Sequence, residues 1–171
     1  MEVKGGRELI IAMPVEIERK FLVSGTQWRQ AQGIPYSQGY LNRDKERTVR
    51  VRIAGAKAYL TIKGISRGAA RTEFEYEVPP AEAAQMLELC DGPILRKTRY
   101  TLQYKGFTWE VDEFLEENKG LVIAEVELRA EDQPFERPVW VGREVTGDPR
   151  YYNANLVVHP YREWRGKDGS V

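Results

Sequence analysis

The sequence predicts an α+β chain whose main body is an eight-stranded antiparallel β-barrel, closed or nearly closed, with a few flanking helices. Three observations carry that expectation. The dominant period along the chain is two, the period of a strand. Polar turns such as Gly55-Ala56-Lys57 and Lys105-Gly106 separate the alternating runs, as in consecutive hairpins. Helical spacing takes over only in short stretches. A chain of 171 residues is one domain's worth and can bury about 70% of the surface it exposes when unfolded.

Residues 15–23 alternate, with Val15, Ile17 and Phe21 on one face and Glu16, Glu18 and Lys20 on the other. Ser24 then caps a short helix to residue 30, which Gly33 and Pro35 end. Residues 36–42 read as a second strand. In 48–54, Val49, Val51 and Ile53 oppose Thr48, Arg50 and Arg52. Residues 58–65 form the fourth strand. In 71–78, Arg71, Glu73, Glu75 and Glu77 oppose Thr72, Phe74, Tyr76 and Val78. Pro79-Pro80 stops the sheet pattern, and 80–89 is amphipathic at helical spacing through Ala83, Met86, Leu87 and Cys90. Asp91-Gly92-Pro93 ends it. Residues 94–104 and 107–114 make another hairpin, and 121–130 is the eighth strand. Helical and turn signals mix over 131–147. Asp148-Pro149 opens a last short helix over 150–158. Residues 1–12 read as a leader, 13–160 as the domain and 161–171 as a solvated tail.

Composition excludes several function classes. Lys plus Arg is 26 and Asp plus Glu is 26, so the basic surplus of a general nucleic-acid binder is missing. No apolar run reaches the ~18 residues of a membrane-spanning helix. A cytoplasmic protein with neither membrane nor nucleic acid as partner is expected. The single cysteine, Cys90, excludes a disulfide framework and a Cys-rich zinc site. The single histidine, His159, excludes a His-rich metal site. Lys63-Gly64 is not part of a P-loop, and no GxGxxG occurs. A phosphate site in this chain must therefore be made by side chains.

The polar strand faces hold the functional signal. They are built from like-charged pairs at i, i+2: Glu16 and Glu18, Arg50 and Arg52, Glu73 and Glu75, Lys97 and Arg99, Glu110 and Asp112, Glu125 and Glu127. Lys20 and Lys63 are single members. Residues at i, i+2 share a face. One reading is an exposed face with cross-strand salt bridges, each worth about 0–1 kcal/mol. The other starts from the repulsion between paired like charges, which calls for a counterion. Acidic pairs suit a divalent cation with all-oxygen ligation, Mg²⁺ or Mn²⁺. Basic pairs suit a polyanion, and the arginine fork matches phosphate oxygens. If the apolar faces point outward under helices and loops, the barrel interior becomes a charged tunnel, suited to a linear polyphosphate and its metals.

EIERK at 16–20 begins an ordered set of motifs: QGYL at 38–41, VRVR at 49–52, LTIK at 60–63, RTEFE at 71–75, KTRY at 97–100, WEVD at 109–112, AEVEL at 124–128 and EVTGDPRY at 144–151. Together they resemble the CYTH superfamily, the triphosphate tunnel metalloenzymes, over roughly residues 13–158. The resemblance implies an eight-stranded tunnel that binds triphosphate-containing substrates with divalent metal. By position, Glu16, Glu18, Glu125 and Glu127 match metal ligands, with Asp112 and Glu110 assisting. Lys20, Arg50, Arg52, Lys63, Lys97 and Arg99 match a triphosphate clamp. Glu73 and Glu75 either bind metal or orient the arginines. The segment 150–158 would close one tunnel end.

The short bacterial members that hydrolyse inorganic triphosphate are the nearest match, which implies hydrolysis to pyrophosphate and phosphate with a metal-activated water as nucleophile. Lys97 would protonate or electrostatically stabilise the pyrophosphate leaving group, and Tyr40 would adjust the proton on Lys97 or on the water. A class IV-type adenylate cyclase and a thiamine triphosphatase are the alternatives within the family. A polyphosphate-binding module without turnover is the alternative outside it. Trp28, Trp109, Trp140 and Trp164 read as packing, with Trp109 on the apolar face. A homodimer is compatible with the resemblance.

Overall fold

The structure, a computed structural model, describes residues 15–167. The expected leader, 1–12, lies outside the described residues. Eight strands close into a ring: β1 (Val15–Val23), β2 (Gly33–Asn42), β3 (Arg47–Ala54), β4 (Lys57–Gly64), β5 (Ala70–Val78), β6 (Leu95–Tyr104), β7 (Phe107–Phe114) and β8 (Val122–Glu127). Their order around the ring is β1-β5-β4-β3-β2-β6-β7-β8 and back to β1, every pairing antiparallel.

β1 is the closing strand. Its first residues pair with β5 through Glu16 and Arg71, while Glu18 to Leu22 pair with β8. Past that point β5 has left the edge of β1, and a ninth short strand, β9 (Val141–Glu144), takes its place against Phe21 and Val23. This strand falls in the stretch that sequence left ambiguous. Its own pattern, VGRE, carries little strand signal; the vacated edge of β1 makes it a strand.

The strand alternation sorts side chains as the sequence suggested. The outward apolar faces are covered in two places. α1 (Pro80–Glu88), opened by Pro80 at its first turn, lies over β2, β3 and β4, where Ala83 packs with Val51 and Ala58. Gly39 on β2 is required there: a side chain at this position would stand 2.8 Å from Cys90 Sγ. On the opposite flank Phe21, Trp109, Trp140 and Val126 pack together against Phe135, with the Trp109 and Trp140 rings 6.0 Å apart and edge-on. The tryptophans thus belong to the outer packing.

Both ends of the chain's helical signals are modified. The helix expected over 24–30 shrinks to a 3-10 turn, Gln27–Gln30, after Gly25 takes a φ of +68°. Trp28, buried against the Tyr100 ring, sets its shape. The helix expected over 150–158 breaks at Tyr152 into a 3-10 turn, Pro149–Tyr151, and α2 (Asn153–Val158). Asp148 caps the first piece, accepting from the Arg150 amide at 3.1 Å. The stretch expected as tail from 161 begins instead as α3 (Tyr161–Trp164), whose Trp164 ring meets Tyr151 edge-on at 5.3 Å. Leu156 and Val157 of α2 pack on Tyr40, Leu95, Phe114 and Ile123, so this segment covers part of one end of the ring. Among the described residues no helix is long and apolar enough to cross a membrane.

Candidate functional site

The ring encloses a bore of about 220 Å³ whose walls are almost wholly ionic. Glu16, Glu18 and Lys20 of β1, Arg50 and Arg52 of β3, Lys63 of β4, Glu73 and Glu75 of β5, Arg99 of β6, Glu110 of β7, and Glu125 and Glu127 of β8 all line it. Each of these positions belongs to the i, i+2 pairs or is one of the single members Lys20 and Lys63, because the pleat sends alternate side chains inward. Sequence reasoning missed Arg71, which also lines the bore. It belongs to the same alternating run as Glu73 and Glu75 but breaks the like-charge pattern that drew attention to them.

The cations are neutralised by the carboxylates across the bore. Glu16 accepts from Lys63 Nζ at 2.8 Å and from Arg71 Nε at 3.0 Å. Lys20 pairs with Glu18 at 2.6 Å and also with Glu125. Glu75 takes Arg52 at 3.1 Å and Arg50 at 3.3 Å. Arg99 donates to Glu125 at 2.9 Å, to Glu110, and bidentately to Asp112, 2.7 Å for each bond. Burial works against the charge of Glu125, but Lys20 and Arg99 outweigh it and hold the carboxyl well below its ordinary range. Glu127 differs. It has no hydrogen-bond or ion-pair partner among the described residues, and burial together with Glu16, Glu18 and Glu73 pushes its pKa up.

Three of the expected site residues, Lys97, Asp112 and Tyr40, do not line the bore. Lys97 and Asp112 are 1% and 0% exposed and form an ion pair behind Arg99. Asp112 accepts from Arg99 through both oxygens and also from Lys97, and it does not line the bore, where the metal role expected of it would place it. The Lys97 ammonium lies over the Phe114 and Tyr36 rings. Burial, outweighing Asp112, pushes its pKa down to about 8, with Arg99 adding to the effect. Tyr40 does not touch Lys97. Its hydroxyl accepts from Gln38 Nε2 at 3.2 Å and faces a second chamber, and burial pushes its pKa up.

That second chamber, about 460 Å³, continues from the bore past Glu16, Lys20, Arg50 and Lys63 toward the β2–β3 and β4–β5 turns and the 146–155 segment. The bore therefore opens at two unlike mouths. The first lies beside the β3–β4 and β6–β7 turns, near Glu75, Glu110 and Thr108; the second is the chamber.

The family model for the CYTH domain matches residues 14–161. The chain belongs to the CYTH family. Two relatives named inorganic triphosphatase agree with this. That of Acetivibrio thermocellus is 56% identical over 155 residues, covering 90% of this CYTH chain and 99% of the relative. That of Nitrosomonas europaea is 34% identical over 147 residues, covering 84% and 97%. Among solved structures, one of an inorganic triphosphatase superposes with a TM-score of 0.61 at 33% identity, covering 84% of this chain and 94% of that one. A Hippeastrum protein at 14% identity, TM-score 0.51, shares the fold.

The donor set of this CYTH bore suits a hard divalent cation, since its carboxylates supply oxygen alone. Glu127 is ready for one by its lack of a partner. Among the described residues no three carboxylates are gathered closely enough to grip an ion unaided, because the others are held by Lys or Arg. The basic wall suits an anion in the same way. Arg50 Nε and Arg52 Nε are buried donors with no acceptor among the described residues, and a buried N–H without an acceptor costs about 1–3 kcal/mol.

Proposed function

We propose that this CYTH protein hydrolyses inorganic triphosphate to pyrophosphate and phosphate inside its tunnel, with Mg²⁺ or Mn²⁺ as cofactor. The observation that carries the reading is the convergence of six cations and seven carboxylates on one enclosed bore. The names of the two relatives support it.

Lys20, Arg50, Arg52, Lys63 and Arg99 hold the phosphate oxygens, joined by Arg71. Arg50 and Arg52 have unused donors for that purpose, and the arginine fork fits phosphate geometry. Glu16, Glu18, Glu125 and Glu127 hold the divalent cation, with Glu110 assisting and Glu73 and Glu75 orienting Lys63 and the two β3 arginines. Bound there, the cation supplies charge neutralisation at the phosphate oxygens and acidifies water. The clamp cations and the carboxylates now neutralise each other, so binding is an exchange. Phosphate oxygens take the Lys and Arg side chains, and the released carboxylates become free for the cation. Asp112 keeps Arg99 aimed across the bore and is assigned a positioning role. Lys97 donates to the pyrophosphate leaving group when its ammonium moves off Asp112; a pKa of about 8 places that proton within reach of neutral chemistry. Tyr40, which does not touch Lys97, adjusts the proton on the attacking water from the chamber wall. Arg and Lys charge near the transferring phosphoryl stabilises its transition state.

The test is a phosphate-release screen over tripolyphosphate, pyrophosphate, ATP and thiamine triphosphate, with Mg²⁺ and Mn²⁺ compared. Phosphate from tripolyphosphate, abolished by a chelator, is the expected result. Cyclic nucleotide from ATP would make the protein a cyclase, and tight tripolyphosphate binding without release would make it a binding module.

A further inference from the structure

The two mouths of the bore differ in what their cations are doing. Beside the first mouth Lys57 is held by Glu77 at 3.2 Å and the lining Arg52 by Glu75, while Lys105 of the β6–β7 turn is exposed and does not line the bore. Inside the bore each clamp cation has a carboxylate. At the second mouth, Arg43 and Lys45 of the β2–β3 turn line the chamber and are exposed. Neither has a hydrogen-bond or ion-pair partner among the described residues. The turn reads RDKER, and its acids do not cancel them. Asp44 is spent on Arg47, on the backbone amide of Glu46, and does not line the chamber; nor does Glu46. The alternation of the turn thus sends its two free cations to the cavity and its carboxylates away from it.

The chamber runs without a break from these two residues to Lys20, Arg50 and Lys63 of the clamp. Unpaired cations at the rim of a cleft raise the local concentration of an anion and speed its capture, and salt screens the effect over about 10 Å at 0.1 M. We propose that the second mouth is the entrance of the tunnel, and that Arg43 and Lys45 form a docking site for the linear phosphate anion before it reaches the clamp. This rests on the triphosphatase reading. It adds a direction to the tunnel: the anion arrives past the β2–β3 turn, because the cations lining the first mouth, Arg52 and Arg99, are already held by Glu75 and Glu110.

The experiment is steady-state kinetics on tripolyphosphate with the full chain, comparing Arg43→Ala/Lys45→Ala with the parent from low to high salt. The expected result is a fall in kcat/KM of about tenfold at low ionic strength, carried by KM, that shrinks toward parity as salt rises. Lys57→Ala, beside the first mouth, removes a surface cation for comparison and keeps the parent's kcat/KM. Equal kcat/KM and equal salt slope in the double variant and the parent would overturn the entrance while leaving the triphosphatase intact. A loss equally large at all salt concentrations, or an equal loss in Lys57→Ala, would overturn it too. Absence of tripolyphosphate turnover in the parent would sink the activity reading, and the entrance with it.

Discussion

Lys97→Ala is expected to lower kcat on tripolyphosphate by about 10³-fold, the range in which a positioned proton donor contributes. Divalent-cation binding should persist, because Lys97 lies behind the bore wall and contacts none of the proposed ligands at its surface. Lys97→Met separates chemistry from folding. Methionine is close to lysine in length and fills the space between the Phe114 and Tyr36 rings. Asp112 keeps the two-bond fork of Arg99, so no bare charge is left in the interior. Removing one partner of a buried ion pair typically costs about 3–5 kcal/mol, and the fork that Arg99 keeps on Asp112 is expected to hold the cost below that range. A folded Lys97→Met protein with undiminished kcat would remove Lys97 from the reaction.

The same pair of proteins checks the electrostatics of Lys97. Its folded pKa, about 8, lies below the ordinary lysine value of 10.5. Between those limits the unfolded chain holds a proton that the folded chain has released. Stability of the parent therefore rises with pH across that window, and the Met variant lacks that component of the slope. Identical pH–stability curves for the two would contradict the assignment.

Glu125→Gln is the second large effect. Glu125 stands between two clamp cations, accepting from both Lys20 and Arg99. Removing its charge is expected to raise the Mg²⁺ or Mn²⁺ concentration for half-maximal activity by more than about tenfold and to lower kcat/KM by about 10²-fold. The fold should survive, since Lys20 retains Glu18 at 2.6 Å and Arg99 retains Asp112. Loss of charge-assisted hydrogen bonds still costs about 1.5–3 kcal/mol. Glu127→Gln makes the contrast. Glu127 has no cation to lose and sits among Glu16, Glu18 and Glu73, so the change should shift the metal requirement without lowering Tm. A metal titration of both variants against the parent, beside their melting curves, decides whether the two carboxylates act as ligands or as salt-bridge partners.

What sequence showed and what it left out divide along physical lines. Strand alternation is a backbone property, so Glu16, Arg52, Glu125 and the rest of the paired positions were legible as one inward face, and the ring followed from consecutive hairpins. β9 was not legible, because VGRE becomes a strand only where β5 leaves the edge of β1. Arg71 was visible on its face but unremarked, since it stands alone in sign beside two glutamates. The buried Lys97–Asp112 pair was beyond reach for a different reason. The pleat says that both side chains point inward, but a lysine long enough to span half the bore can choose among several carboxylates, and that choice belongs to packing around Phe114 and Tyr36. The second mouth was likewise hidden, because the β2–β3 turn, the β4–β5 turn and the 146–155 segment meet only in the closed ring.

What occupies the bore decides between a triphosphate tunnel and a ring of salt bridges. The direct measurement is a crystal structure of the full chain grown with Mn²⁺ and tripolyphosphate, with the metal located by its anomalous scattering. The expected result is manganese on oxygens of Glu127 and its neighbours on β1 and β8, with phosphate density against Arg50 and Arg52. Manganese and phosphate found only outside the ring, with Lys63 still on Glu16 and Lys20 still on Glu125, would contradict it.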